Sequence, residues 1–369
     1  MLPDGTPVVN AVAHAYNLSP ENARGPMGEA VRRGFYGIHA HFNPPEWVVP
    51  EETFCTDQSA ELLAGTHFAE SDVDLLVYHV LRLDSLFADG LCSLGKAVEL
   101  LQRWPARSIV YLGLDPTLGL QRCLDDLERQ AELLPGAMGV KLYPDQLAPY
   151  RTFRMDDPEL MFPLYERIGQ LGLRVVAVHK ALPNGPVPLG PYRIDDLEGA
   201  AMHFPQLAFE IVHAGMAFVA ETALALARFP NVYANLEITT MLLTKAPRLF
   251  SEAMAEFLFW GGPGKLLYSD GALFAHPRLG VEAFAAWQLP EDLQERYGLP
   301  PLSTADRAGI LGGNLARMLG VDLTARMAAV ADDEFVRARR EGGGPAEPFS
   351  TWARLGGTAL PAPLGERVA

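Results

Sequence analysis

The chain has 369 residues, of which 49% are hydrophobic and 20% are charged, and its formal net charge at pH 7 is −15. This composition excludes a disordered chain, and an acidic chain without a basic block is not typical of nucleic-acid-binding proteins. No apolar segment is long enough to cross a membrane, and the N-terminus has no basic region before its short apolar run. Cys55, Cys92 and Cys123 are odd in number and fit no metal spacing, which favours a reducing compartment. We therefore expect a cytoplasmic protein with a small-molecule substrate and no nucleic-acid or membrane partner.

Strand-like apolar runs alternate with helical segments along most of the chain. The runs cover residues 7–15, 73–81, 107–116, 136–144, 174–180, 207–215, 231–239 and 265–273. Strands that alternate with helices form parallel sheets joined by right-handed crossovers. Eight such units over this length predict an α/β fold of the (β/α)8 TIM-barrel type. No GxGxxG sequence follows the first run, which weakens the dinucleotide-binding alternative.

The composition changes near residue 330. The segment DDEFVRARREGGGPAEPFSTWARLGG is first charged and then rich in Gly and Pro, which indicates the end of a helix followed by an extended tail. We predict a barrel over residues 1–330 and a C-terminal extension over residues 331–369. Trp352 is a candidate anchor for this tail, on the barrel or on a partner subunit, and we expect a homodimer.

Polar residues end nearly every predicted strand. In chain order they are His14, His79, Asp115, Lys141, His179, Lys180, His213, Glu237 and Asp270. The carboxyl ends of barrel strands form one mouth, where the active sites of such barrels lie. A single strand histidine is more often a hydrogen-bonded core residue than a ligand, but here several converge from distant strands. A shared metal ion explains this set well, because unpaired buried charge is costly and imidazoles with one carboxylate suit a catalytic divalent ion.

Five segments resemble the amidohydrolase superfamily, in the branch of aminocarboxymuconate semialdehyde decarboxylase and its hydrolase relatives. They are GVKLYP (139–144), VHK (178–180), IVHAG (211–215), LLYSDG (266–271) and ILGGNLARMLG (310–320). Each segment alone is a weak signal. The ordered set spans nearly the whole chain and is specific.

The resemblance implies roles for the strand-end residues. His179 matches the strand-5 metal ligand, and Asp270 matches the strand-8 carboxylate that contacts the metal and activates its water. His213 matches the strand-6 histidine, which is a ligand or handles a proton. Lys141 matches a lysine that bridges metals when carboxylated or, in this branch, orients the substrate or neighbouring carboxylates, and Glu237 is a candidate for binding a ligand or the substrate. Lys180 lies beside this site, and the expected cofactor is one divalent ion, zinc or alternatively manganese.

The first strand departs from the pattern of this branch, which is Asp-x-His-x-His. PVVNAVAHA places Asn10, Val12 and His14 at these positions, so that only His14 remains as a strand-1 metal ligand. YGIHAHFNPP resembles the HxHF-P signature of the branch and is predicted to lie in the loop after strand 1. If residues 35–42 are strand 1 instead, His39 and His41 are the ligand pair; in a loop, they can contact the substrate.

Three functions are compatible with these residues. The first is a metal-dependent hydrolase of an amide, lactone or similar carbonyl, in which Asp270 takes a proton from metal-activated water. The second is a nonoxidative decarboxylase of an aromatic or unsaturated acid, in which His213 or Asp270 protonates the carbon. The third is a metal-free barrel that acts as a binding subunit, and Val12 is the feature that favours it.

Overall fold

The computed structural model describes residues 1–183, 185–271 and 273–356, and a parallel sheet forms the centre of this part of the chain. The strands are β1 (Val9–Ala13), β2 (Leu75–His79), β3 (Ser108–Gly113), β4 (Gly139–Leu142), β5 (Asp145–Leu147), β6 (Tyr150–Thr152), β7 (Val175–His179), β8 (Ala208–Val212), β9 (Val232–Asn235) and β10 (Leu266–Leu267). Strands β5 and β6 form a separate antiparallel hairpin. The other eight strands pair in parallel in the order β1-β2-β3-β4-β7-β8-β9-β10. The amide of Ala11 donates to the carbonyl of Tyr268 at 3.0 Å, just beyond β10, so the sheet is a nearly closed barrel.

Helices surround this barrel. They are α1 (Gly25–Phe42), α2 (Glu51–Phe54), α3 (Ala60–Ala64), α4 (Leu94–Arg103), α5 (Leu120–Leu133), α6 (Met161–Gln170), α7 (Asp195–His203), α8 (Val219–Arg228), α9 (Leu242–Lys245), α10 (Pro247–Trp260), α11 (Pro277–Ala286), α12 (Glu291–Tyr297), α13 (Thr304–Ala308), α14 (Asn314–Leu319), α15 (Leu323–Val330), α16 (Glu334–Gly342) and α17 (Ser350–Arg354). Short 3-10 turns lie at Pro20–Asn22, Pro45–Trp47, Pro116–Leu118, Gly190–Tyr192, Thr239–Met241 and Pro263–Lys265, and π-helical turns lie at Gly65–Ala69 and Gly309–Gly313.

Alternation along the strands separates the inside of the barrel from its helical layer. In β7, Val175 and Ala177 belong to an apolar cluster that also contains residues of β1, β2, β3, β8 and β10. Val176 and Val178 belong to the larger cluster that includes the helices. Successive side chains of a strand point to opposite faces, and both faces are buried here, which is why these strands read as continuous apolar runs.

The predicted (β/α)8 barrel is confirmed, and each of the eight predicted runs contains one parallel strand. The strands are shorter than the runs, because the run ends turn into loops; the last run includes Ala272, which lies outside the described residues. The segment after strand 1 was predicted as a loop, and this was wrong, as was its reading as a strand. Val31, Phe35, Ile38 and Phe42 recur at helical spacing and lie on α1.

The C-terminal extension is helical over its described part. Helices α16 and α17 follow α15, and Trp352 is buried in the main apolar cluster, so it anchors this segment on the barrel. The indole of Trp104 donates to Glu334 at 2.6 Å, which attaches α16 to the end of α4. Residues 357–369 of the predicted tail lie outside the described residues, and the domain boundary at residue 330 stays a prediction. Among the described helices, none is long and apolar enough to cross a membrane.

Candidate active site

A cavity of about 370 Å³ opens at the carboxyl ends of the barrel strands. His14 follows β1, His179 ends β7, His213 follows β8, and Glu237 lies two residues after β9, and all four line this cavity. Residues far apart in sequence meet there because parallel strands present their carboxyl ends at one mouth. The structure therefore brings together four of the residues that the sequence singled out.

The walls of the cavity are mostly apolar. Met27, Val31, Gly34 and Ile38 lie on one face of α1, at helical spacing, and cover one side. The loop after β7 contributes further apolar residues, among them Leu182. The cavity thus suits the apolar body of a small molecule, with its polar groups directed at the strand ends.

His179 and His213 form a hydrogen-bonded pair whose outer nitrogens both contact acceptors. Nε2 of His179 lies 2.6 Å from the carbonyl of Leu182, so this nitrogen carries a hydrogen. Nδ1 of His213 contacts the carboxylate of Glu237, so it also shares a hydrogen. His213 Nε2 and His179 Nδ1 are 3.0 Å apart, and one of them must donate. These contacts form one hydrogen-bonded chain that runs from the carbonyl of Leu182 through both imidazoles to the carboxylate of Glu237.

The two imidazoles of the pair have different surroundings. Burial, and then the charges of His213 and Lys141, hold the pKa of His179 well below its usual range. His213 instead has the carboxylate of Glu237 as a counterion. An imidazolium paired with a carboxylate beside a cavity is a proton donor, and the neutral form is a proton acceptor.

The backbone is strained at three positions around this cavity. His213 (φ 68°), Ala181 (φ 59°) and Ile238 (φ 61°) have positive φ although none of them is glycine. Such conformations cost of order 1–3 kcal/mol each and cluster at functional sites. His213 and Ile238 line the cavity, and Ala181 follows β7 by two residues. The strain fixes the direction of the side chains at the ends of β7, β8 and β9.

Lys141 provides a second buried cation next to the cavity. It pairs with Ala177 across β4 and β7, and its Nζ lies 5.4 Å from the ring centroid of Tyr143, which lines the cavity. Burial lowers the pKa of Lys141 to about 8, and the carboxylates of Glu237 and Glu210 oppose this shift. The ammonium is therefore mostly charged at neutral pH and favours an anionic group in the adjacent cavity.

Glu210 lies in the barrel interior and was not among the residues predicted from the sequence. It accepts hydrogen bonds from the hydroxyl of Tyr111 at 2.8 Å and from the amide of Asn235 at 2.7 Å. Burial nevertheless raises its pKa to about 7. Its position within β8, two residues before the strand end, could have marked it as inward-facing, since β8 reads as alternating from Glu210 to Val212.

His14 and His79 occupy neighbouring positions on β1 and β2. Burial, and then the charge of Lys141, lower the pKa of both histidines well below the usual range, so both are neutral. Nδ1 of His14 has no hydrogen-bond partner among the residues that the structure describes. His79 stacks on Tyr111 with ring centroids 4.6 Å apart and does not line the cavity, so it packs the barrel interior.

Asp270 lies in a separate buried cluster and does not line the cavity. Its Oδ1 accepts a hydrogen bond from the amide of Asn10 at 2.8 Å, and Nε2 of His67 is 3.7 Å from its Oδ2. Asp270 was predicted from the sequence as a site residue, His67 was not, and Asn10 was noted only as a departure from the aspartate of the branch pattern. Neither contact has a local signal in the sequence, because both join segments that are far apart in the chain.

Three residues that were predicted as alternative metal ligands or substrate contacts lie outside the cavity lining. His39 lies on α1, and its ring nitrogens bind the carbonyl of Phe274 at 2.7 Å and the amide of Val49 at 2.8 Å. His41 is exposed on the same helix. Lys180 donates to Asp196 at 2.7 Å and so fixes the loop after β7 to the start of α7. None of the three lines the cavity, and their assignment as ligands or substrate contacts stays a prediction.

The residues at the mouth do not fit the predicted metal ion. Within residues 1–183, 185–271 and 273–356, no group of three or more His, Cys, Asp and Glu side chains is placed to hold a metal. His14 and His179 line the cavity, whereas Asp270 is bonded to Asn10. The three predicted ligands are therefore not assembled, and we derive no step through a metal.

Comparison with known proteins agrees with this fold. The model of the amidohydrolase family matches residues 94–321, which is more than half of the chain. The chain therefore belongs to the amidohydrolase family, a family of enzymes. A search of curated protein sequences gives no significant match.

Solved structures share the barrel at low sequence identity. A TIM-barrel protein of Bordetella bronchiseptica is 17% identical with a TM-score of 0.57, over 85% of this chain and 98% of that chain. A 5-carboxyvanillate decarboxylase of Novosphingobium aromaticivorans, solved with bound manganese, is 13% identical with a TM-score of 0.52, over 86% and 98%. A probable 2-pyrone-4,6-dicarboxylic acid hydrolase of Acinetobacter baumannii is 12% identical with a TM-score of 0.50, over 85% and 99%. At these identities the likeness establishes the fold.

Proposed function

We propose that the chain is a decarboxylase of a small, largely apolar carboxylic acid, and that it delivers a proton to the carbon that loses CO₂. The observation that carries this proposal is the hydrogen-bonded pair of His179 and His213 at the wall of an apolar cavity, with the carboxylate of Glu237 against His213. In this proposal His213 is the imidazolium that delivers a proton to carbon.

The cavity suits an acid with one anionic group. Its apolar walls take the body of the molecule, and the cations of Lys141 and His213 attract the carboxylate.

The proposed step balances without a further reactant. The bond between the carbon and its carboxylate breaks, CO₂ leaves, and the electron pair stays on the carbon. The proton of His213 moves to this carbon, and the imidazole regains a proton from water. The apolar walls favour loss of the carboxylate charge, and the buried cations stabilise the negative charge that develops on the carbon.

Hydrolysis of an amide, lactone or similar carbonyl is the second candidate. The neutral imidazole of His14, with an unpartnered Nδ1 among the described residues, favours it, because such a nitrogen can accept a proton from water. The zinc or manganese ion predicted on His14, His179 and Asp270 is not used in either proposal, because these three residues are not assembled among the described residues. The homodimer and the cytoplasmic location also stay predictions.

Product analysis with isotopically labelled water tests the two candidates. We would screen hydroxylated aromatic acids, unsaturated acids, amides and lactones in D₂O and in water enriched in ¹⁸O. Decarboxylation releases CO₂ and leaves one solvent deuterium on the product carbon. Incorporation of ¹⁸O into the product without CO₂ would overturn the proposal in favour of hydrolysis.

His213→Asn tests the assigned donor. Asparagine tolerates the positive φ of this position, so the fold is expected to survive while turnover falls by about 10²- to 10⁴-fold. His203→Asn is the matched control, because His203 is exposed at the end of α7. Near-normal turnover of the His213 variant would remove this residue from the mechanism.

A further inference from the structure

Asn10 connects the first strand of the barrel to the segment that follows the last strand. Its Nδ2 donates to Asp270 Oδ1 at 2.8 Å. Its Oδ1 accepts hydrogen bonds from the hydroxyl of Ser269 at 2.8 Å and from the backbone amide of Asp270 at 3.3 Å. Asn10, Ser269 and Asp270 are fully buried. One amide side chain therefore joins β1 to the chain beyond β10 at the seam where the barrel closes.

His67 completes this connection from outside the barrel. It lies in the π-helical turn Gly65–Ala69, and its Nδ1 is 2.7 Å from the carbonyl of Leu63, so Nδ1 carries the hydrogen. Nε2 is then an acceptor, and it lies 3.0 Å from Nδ2 of Asn10. Both amide hydrogens of Asn10 are therefore used, one by the carboxylate of Asp270 and one by the imidazole of His67.

The acceptors around Asn10 are the groups that bind divalent metals in proteins. A carboxylate oxygen and an imidazole lone pair, here from Asp270 and His67, are typical ligands. Both are bonded to a neutral amide instead. Val12 stands on β1 where the pattern Asp-x-His-x-His has its first histidine. Its apolar side chain packs in the inner barrel cluster with Leu75 and Leu267.

We infer that the amide of Asn10 takes the structural place of a divalent cation at the seam of the barrel, and that the chain folds without a metal. The inference is independent of the reaction that the cavity performs. It rests on the partners of Asn10, on the apolar environment of Val12 and on the unassembled ligand set.

Metal analysis of the natural chain is the direct test. After dialysis against a chelator and then against Zn²⁺ or Mn²⁺, followed by removal of free metal, we expect far less than one ion per chain and an unchanged Tm. About one tightly bound ion per chain, or a Tm that rises with added metal, would overturn the inference. This measurement needs no substitution and no assay of activity.

Asn10→Asp converts the same cluster into a cation site. Two carboxylates and an imidazole then share one buried volume, and the like charges repel when no cation is present. We expect the Tm in chelator to fall by roughly 5 °C or more, and Mn²⁺ or Zn²⁺ to restore most of this loss. A variant whose Tm is as high in chelator as in metal would contradict the assigned role of Asn10.

Asn231→Asp is the matched control. The amide of Asn231 donates to three backbone carbonyls, those of Ala201, Phe204 and Leu207, at 2.9–3.2 Å. The substitution removes these bonds and buries a charge in the same barrel, so it also lowers the Tm. These bonds involve no carboxylate and no imidazole, and metal is therefore not expected to restore the Tm. Equal rescue of both variants would show a nonspecific effect of the metal and overturn the inference.

Discussion

Lys141 carries a buried positive charge, and its Nζ has no hydrogen-bond partner within the described ranges of the chain. A buried ammonium is costly unless a ligand or a neighbouring carboxylate balances it. Glu237 and Glu210 supply part of this balance, and both raise the pKa of Lys141 against the effect of burial. An anionic substrate can balance the part of the positive charge of Lys141 that these carboxylates leave unbalanced.

The charge of Lys141 predicts a basic limb in the pH profile of kcat/KM. Burial lowers the pKa of Lys141 to about 8, so the lysine is charged below this pH and loses its proton as the pH rises through it. We expect kcat/KM to fall above about pH 8. Lys141→Arg is expected to move this limb to higher pH, because arginine stays charged, and Lys141→Met to lower kcat/KM by roughly 10²-fold. A basic limb that stays in place in both variants would assign it to another group.

Substitution of His39 is expected to lower the stability of the protein rather than its catalytic activity. It joins α1 to Val49 and Phe274 through both ring nitrogens. His39→Ala leaves a buried amide and a buried carbonyl without this partner, so the free energy of unfolding is expected to fall by about 1–3 kcal/mol. His41→Ala, on the exposed side of the same helix, is the control and is expected to change it little. Chemical denaturation measures both; equal effects of the two substitutions would contradict the assignment.

The polar residues at the strand ends could be predicted from the sequence because each of them lies at the end of a run of apolar residues. His14, His179, His213 and Glu237 each interrupt such a run, and the barrel brings them together. Asn10 and Asp270 also end up buried, but their contact depends on how the seam of the barrel closes. No local pattern in the sequence encodes that contact.

Helix α1 covers the cavity and determines the room that a substrate has. Gly34 lies on the face of α1 that lines the cavity, and a Cβ added there meets no atom within 4 Å. Gly37 has the same open surroundings on the same helix but does not line the cavity. The two glycines form a matched pair for measuring the effect of cavity size.

Gly34→Leu is expected to reduce substrate binding without loss of stability. Replacing an exposed helical glycine favours the helix by roughly 1 kcal/mol, while the leucine fills part of the cavity. We expect KM to rise by at least about 10-fold, and the Tm to be equal or higher. Gly37→Leu is expected to keep the natural KM. A similar KM for both variants would show that α1 does not limit the site.

Helix α1 was missed in the sequence because the resemblance of its HxH to a strand motif outweighed its helical spacing. The segment also contains Gly34 and Gly37, which lower helix propensity. Burial of Val31 and Phe35 in the main apolar cluster overrides this propensity. The eight strands, in contrast, were long apolar runs with turn residues between them, and their pattern was sufficient.

The C-terminal segment covers the buried carboxylate of Glu70. Glu70 accepts hydrogen bonds from the backbone amides of Phe349 at 2.8 Å and Thr351 at 2.6 Å, and it lies 2.8 Å from Nε2 of His276. Phe349 and Trp352 add apolar contacts in the main cluster. The start of α17 therefore stabilises the outer side of the barrel near the turn that carries His67.

Truncation after Gly344 is expected to lower the free energy of unfolding by about 3–5 kcal/mol, because it leaves Glu70 buried without three of its donors, the amides of Phe349 and Thr351 and the hydroxyl of Ser350. Truncation after Gly356 retains Phe349 and Thr351 and serves as the control. Thermal or chemical unfolding of both chains measures the difference. If both truncations have the same small effect, the contacts of Glu70 do not contribute to stability.

The whole molecule is an amidohydrolase-family barrel in which we assign the chemistry to a hydrogen-bonded histidine pair and a buried lysine. The most direct test is CO₂ release from the acid that the screen identifies, measured on chelator-treated protein whose metal content has been determined. We predict unchanged turnover with far less than one metal ion per chain, together with a loss of about 10²- to 10⁴-fold in His213→Asn. Turnover that disappears on chelation and returns with zinc or manganese would contradict it.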